Sequence, residues 1–106
     1  MRKFRLENMV KGWFVGNISP VALRTGACEV AVKEYEVGTH DPRHHHWVAT
    51  EVTVIVSGEV EMNGVRYGRG DIVVIEPHES TDFKVLSAAT TVVVKVPGAN
   101  DDKYLD

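Results

Sequence analysis

This chain is poor in several things, and each shortage rules something out. It holds a single cysteine, Cys28, in 106 residues. No intrachain disulfide is possible, which suits a reducing compartment, so a cytoplasmic location is expected. No base stands recognisably beside that thiol, and Cys28 reads as a small hydrophobe opening a strand. Long apolar runs are missing too. Stretches such as Val92-Val93-Val94 fall far short of the ~20 residues that span a bilayer, so no membrane partner is expected. The segment "MRKFRLENMVKGWF" is basic but contains Glu7 and lacks the apolar centre of a secretory leader. Nor does one charge sign dominate. Twelve Lys and Arg are interspersed with 15 acids, for a net charge of −3. No basic block exists to neutralise a phosphate backbone, which excludes nucleic acid as the expected partner. Helical periodicity is also absent, and little or no helix is predicted.

What remains is a period of two. "CEVAVKEYEV" (28–37) and "EVTVIVSG" (51–58) alternate and are rich in valine. On the second, Glu51, Thr53 and Ile55 share one face and Val52, Val54 and Val56 the other. On the first, either Val30 and Val32 with Glu34 and Glu36, or Lys33 and Tyr35, face inward; the pattern leaves both phases open. In "EVEMNGVRY" the Asn63-Gly64 pair signals a two-residue hairpin, because both turn positions need φ > 0. That turn pairs Met62 with Val65, Glu61 with Arg66 and Val60 with Tyr67, so apolar meets apolar and acid meets base. "GDIVVIEP" (70–77), "STDFKVLS" (80–87) and "TTVVVKVP" (90–97) are read as three further strands. Residues 1–27 are expected to add N-terminal strands. Residues 98–106 form a polar tail from which Tyr104 and Leu105 can dock back. With 43% hydrophobic residues the whole fits one domain with one core, an all-β sandwich or barrel.

The chemistry is concentrated in "HDPRHHHW" (40–47), which holds four of the five histidines. His44 and His46 project to one face of an extended chain and His45 to the other. Glu51 follows, an odd choice to open a valine-rich strand. A fold-back at Trp47–Thr50 lets two imidazoles and one carboxylate converge as a facial triad, a set that suits Fe(II) and accommodates Mn, Ni, Co or Zn. A buried Glu51 without a cation is costly or takes up a proton. His40 shares His44's parity, but Pro42 interrupts the strand, and His40 is read as loop.

These residues resemble the cupins. Their first motif, G-x5-H-x-H-x3,4-E-x6-G, is met by Gly38, His44, His46, Glu51 and Gly58 at every fixed spacing. Their second, roughly G-x5-P-x-G-x2-H, is met in part by "GDIVVIEPHESTDF" from Gly70, with Glu76, His78 and Thr81 where the motif has proline, glycine and histidine. The resemblance covers roughly residues 30–96. It implies a small jelly-roll β-barrel of two antiparallel sheets, with His44, His46 and Glu51 as ligands of a divalent metal.

A neutral hydroxyl at Thr81 is a weak donor, and three arrangements are open. A bulge brings in Asp82; His78, in a turn that asks for φ > 0, reaches the rim as a fourth ligand; or three protein ligands suffice, with Thr81 hydrogen-bonding water or substrate. The third is the simplest, and Glu51 and Thr81 are then the candidate catalytic residues. No organic cofactor is indicated. Trp13, Tyr35, Trp47 and Phe83 read as core or interface packing, and Arg43 as a solvated side chain that can also bind a carboxylate. The expected function is a metalloenzyme on a small sugar- or carboxylate-like metabolite, of isomerase/epimerase or dioxygenase type. The competing expectation is a non-catalytic ligand-binding, sensing or structural module. A homodimer is expected because it hides sheet edges, with "GWFVGN" as the contact candidate.

Overall fold

Valine-rich alternation needs a surface to bury its inner residues, and this chain provides one by wrapping a single continuous sheet. The computed structural model describes residues 1–106. After a 3-10 turn at Leu6–Asn8 come β1 (Trp13–Gly16), β2 (Leu23–Arg24), β3 (Glu29–Tyr35), β4 (His40–His45), β5 (Thr50–Met62), β6 (Val65–Gly68), β7 (Ile72–Ile75), β8 (Thr81–Val96) and β9 (Tyr104–Leu105). β8 is the hub, antiparallel to β3, β4 and β5. β5 also pairs with β6 and β7, β1 joins β3, and β9 borders β4. The chain is therefore the all-β barrel that its alternation predicts. Its hydrogen bonding differs in two respects from two separate antiparallel sheets: β8 links both halves, and β1 pairs with β2 in parallel.

The hairpin register is the predicted one, Val60–Tyr67, Glu61–Arg66 and Met62–Val65, around a turn where Asn63 has φ +51° and Gly64 φ +77°. Two pairs of predicted strands are instead fused. "EVTVIVSG" and "EVEM" make one strand, β5, through Gly58; "STDFKVLS" and "TTVVVKVP" make one strand, β8, through Ala88 and Ala89. Gly58 is what lets β5 bend without ending. Its φ is +82°, and a Cβ there would lie 2.3 Å from the Ala88 carbonyl oxygen, so only glycine fits so close to the neighbouring strand. The register slips on either side of it, as a bulge requires.

Inside this bend Ile55, Val60, Val85 and Ala89 pack as a buried cluster, flanked by Tyr35, Tyr67 and Phe83. Burying Ile55 fully contributes about 1.5–3 kcal/mol. The inner face continues as Ala31, Val93 and Thr53, three buried residues in register across β3, β8 and β5. That settles the phase of β3. Lys33 and Tyr35 share Ala31's face, while Glu34 and Glu36 are exposed and unavailable as bases in the barrel.

Candidate metal centre in the barrel cavity

The predicted ligands come from the join between β4 and β5, and a break in β4 sets which residues face inward. Pairing with β8 matches Asp41 to Phe83 and then His44 to Thr81, with a register shift between. Two steps along β8 thus oppose three along β4, the signature of a bulge at Pro42-Arg43, where proline removes a ladder donor. The bulge puts Asp41, not His40, on His44's face. His40 lies exposed, 3.9 Å from Asp82.

Asp41, His44, Glu51, Thr53, Thr81 and Thr91 line a cavity of about 70 Å³, closed by Tyr35, Met62, Phe83 and Val93. His44 Nδ1 lies 2.9 Å from the Pro42 carbonyl oxygen. A carbonyl only accepts, so Nδ1 carries a proton, and in the neutral ring it is Nε2 that holds the lone pair a metal binds. The His46 ring stands edge-on to that of His44, centroids 5.5 Å apart. Burial, reinforced by Lys95 and His44, lowers the His46 pKa to about 4, so the ring is neutral at physiological pH. Burial also raises the Glu51 pKa, against the opposing pull of Lys95 and His44. Tyr35 is pushed up to about 12 by burial, with Glu51 and Asp41 adding. Thr91 Oγ1, fully buried, has no partner within hydrogen-bond geometry.

Expectation and structure part at several places. His44, Glu51 and Thr81 are brought together, and His46 stands beside His44, but no group of three or more His, Cys, Asp or Glu side chains is positioned to hold a metal ion. The reason is local: β4 ends at His45, so His46 leaves the strict alternation that would aim it beside His44 and does not line the cavity. Thr81 is buried opposite His44, and its hydroxyl donates to the Asp82 carbonyl (2.7 Å). His78 does take φ +72°, but its exposed ring rests near Trp47, centroids 5.9 Å apart, and it stays outside the cavity. Asp82 points outward and accepts the Asn63 N–H (2.9 Å). Arg43 is held outside too, donating to Asn63 Oδ1 (2.7 Å). His45 points away, its Nδ1 2.6 Å from Asp106 Oδ1 and its Nε2 accepting the Trp47 indole N–H (2.9 Å).

The polar tail is a structural part of the site. Asp102, 6% exposed, accepts the backbone N–H groups of Trp47, Val48 and Ala49 at 3.0–3.2 Å, which pins the turn between His46 and Glu51. Burial opposes its ionisation, but the Ala49, Trp47 and Val48 amides outweigh it and hold the carboxyl below the usual range. Lys103 Nζ binds Asp41 at 2.9 and 3.1 Å, and β9 covers the edge of β4. Sequence reasoning passed over Asp41, Thr91 and Asp102. Pro42 inside a histidine-bearing strand is the one signal that points to Asp41.

The donor types suit a divalent cation, although the three side chains do not converge on one point: an imidazole whose Nδ1 is tied to a carbonyl, a second kept neutral, and a carboxylate whose pKa burial raises. Those residues are His44, His46 and Glu51, and a cation among them would supply Lewis acidity and open coordination positions.

No protein-family model and no curated protein matches the chain. Solved structures match in fold. An uncharacterized conserved protein with a double-stranded beta-helix domain from Klebsiella pneumoniae aligns at TM-score 0.71 and 24% identity, over 98% of this chain and 90% of that one. The DMSP lyase DddQ from Ruegeria pomeroyi aligns at 0.69 and 21%, over 88% of this chain, which spans only 49% of the lyase. The Cnp3 cupin domain from Schizosaccharomyces pombe aligns at 0.59 and 16%, over 67% and 56%. The fold is thus the double-stranded β-helix of cupin structures. At these identities the likeness extends to the fold alone.

Proposed function

We propose that the chain is a small single-domain cupin whose cavity binds one divalent ion, Fe, Ni, Mn, Co or Zn, through His44, His46 and Glu51. The observation that carries this reading is the presence of His44 and Glu51 in one small cavity, with a neutral His46 ring beside His44. A carboxylate that burial drives toward protonation is relieved by a cation and otherwise costs stability. The reaction is of isomerase/epimerase or dioxygenase type on a small sugar- or carboxylate-like metabolite. Glu51 holds the ion, and Thr81 positions water or substrate across from His44. A cavity of about 70 Å³ takes an ion and its water but not a metabolite, since ligand pockets run to roughly 300–1,000 Å³. The substrate therefore reacts at the rim. The same reading places the chain in the cytoplasm and assigns no nucleic-acid or membrane partner; no helix is long and apolar enough to cross a membrane.

One observation favours the non-catalytic alternative: the three ligands do not converge as a closed set. Elemental analysis of protein purified without chelator, after expression with each metal supplied, separates the two. About one ion per chain, lost in His46→Ala, supports the metalloprotein; a metal-free chain under every supplementation supports the binding module. Oxygen uptake with candidate acids and sugars then divides oxygenase from isomerase.

The homodimer belongs to this proposal as well. Val74, Val52, Val94 and Val30 form one row across the outer face, and Ile72, Val54, Val92 and Val32 the next. Ile72 is 65% and Val74 52% exposed, an apolar surface that a second copy can cover. A monomer by light scattering would end that part.

A further inference from the structure

If the cavity has no room for a metabolite, something beside it must hold one. Lys95 lies on β8 in register with Glu51 on β5, and Lys33 lies two strand-paired rows away on β3, opposite Thr91. Between them stands Trp13, paired with Ala31 across β1 and β3. Lys33 Nζ is 4.6 Å and Lys95 Nζ 5.3 Å from the centre of that one indole. Each ammonium gains from the ring's π face, but the two repel each other. Neither forms an ion pair within 4.0 Å, in contrast to Lys84, Lys103, Arg5 and Arg43. Burial first, then Lys11 and Lys95, lowers the Lys33 pKa to about 8, and Glu51 alone acts against them. Positive charge is therefore gathered here; the acids paired with Lys95 are Glu51 on β5 and Glu29 on β3, and neither comes within 4.0 Å of its amine.

Solvent access is shown at the Lys33 end of the pair. An open groove of about 830 Å³ runs between the N-terminal segment and β3 and is lined by Lys11, Lys33 and Tyr35 among others, but not by Lys95 or Trp13. Tyr35 also lines the small cavity, so the groove and the cavity share this residue. The acids of the groove are Glu7, whose nearest cation is Arg5 at 3.4 Å, and Glu34, which is exposed.

We propose that Lys33 and Lys95, flanking Trp13, form an anion-binding site that takes the carboxylate or phosphate group of a small metabolite beside Glu51. Ammonium groups hold such oxygens through charge-assisted hydrogen bonds, and an anion held by both amines offsets their repulsion. This goes beyond the metal reading and does not depend on it, because the amines stand in place whether or not an ion is held at His44 and Glu51.

The test is a 1H–15N NMR titration of the whole chain, treated with chelator, using inorganic phosphate in one series and malonate in another. Saturable shifts are expected at the Trp13 indole N–H and at the Lys33 and Lys95 amides with at least one anion, and the better of the two names the preferred group. Lys33→Met and Lys95→Met each weaken binding fivefold or more while keeping the stem over the indole; Lys84→Met leaves it unchanged. No saturable shift at Trp13 with either anion overturns the proposal, as does equal affinity in the two methionine variants and the wild type. Should a methionine variant fail to fold, competition by sodium chloride on the wild type decides: affinity unmoved by added salt overturns it. Because the protein is chelated throughout, failure of the metal reading cannot produce a negative result here.

Discussion

His46 is expected to make the fold sensitive to mild acid. The side chain is 4% exposed, and burial, aided by Lys95 and His44, lowers its pKa from 6.5 to about 4. The folded state thus binds this proton more weakly than the unfolded state does. Stability is full above about pH 6.5 and falls as the unfolded chain takes up the proton, down to about pH 4. At ~1.4 kcal/mol per pH unit the loss would approach 3.5 kcal/mol, and residual solvent access around the ring reduces it to about 2. Glu51 acts with the opposite sign. Its raised folded pKa means that the folded state takes up a proton first, so stability is gained as pH falls through that value toward 4.5. The carboxyls of Asp82, Asp102 and Asp106 are lowered, and they lose stability only below about pH 4. Urea unfolding of the chelated wild type, His46→Gln and Glu51→Gln at about pH 7, 5.5 and 4.5 separates these contributions. Between the extremes His46→Gln should lose about 2 kcal/mol less than the wild type, and Glu51→Gln should lose more. Parallel pH profiles for the wild type and His46→Gln would refute the argument that this imidazole is buried and neutral.

Three further outcomes are expected. Gly58→Ala forces a Cβ to within 2.3 Å of the Ala88 carbonyl oxygen at φ +82°; it should destabilise by roughly 2–4 kcal/mol, and a loss under 1 kcal/mol by urea unfolding would show that β5 does not need its bend there. Asp102→Ala leaves the Trp47, Val48 and Ala49 amides without their acceptor; a cost of about 2–3 kcal/mol and loss of hydrogen-exchange protection at those amides are expected, and retained protection would contradict the pinning role. Thr91→Val removes a buried hydroxyl that has no partner; stability should hold or rise by up to ~1 kcal/mol, while a loss above that would reveal that Tyr35 or a ligand satisfies the hydroxyl.

Local chemistry made part of this molecule readable from residues alone. The Asn63-Gly64 turn specifies its own register, since both positions tolerate positive φ and each cross-strand pair is complementary. Glu51 sharing a face with Thr53 and Ile55 is a matter of strand parity, and the structure turns that face inward. What depended on distant partners was hidden. Gly58 reads as a strand end until Ala88 of another strand is known to lie against it. The β3 face is undecided until β8 supplies Thr91 and Val93 opposite Lys33 and Ala31. Pro42 marks an irregularity, but only the pairing of Asp41 with Phe83 and His44 with Thr81 shows which residues the bulge turns inward. Asp102 acts on amides 53–55 positions away, beyond the reach of any local pattern. The incomplete convergence of His44, His46 and Glu51 has the same origin: alternation describes a strand, and His46 lies one residue past the end of one.

The metal itself is the most direct test. In crystals of protein expressed with the divalent metals supplied, an anomalous difference map at each metal's absorption edge should show one peak per chain, about 2.0–2.3 Å from a nitrogen of His44, a nitrogen of His46 and a carboxylate oxygen of Glu51. A map with no peak there, or a peak held by other residues, would contradict the assignment.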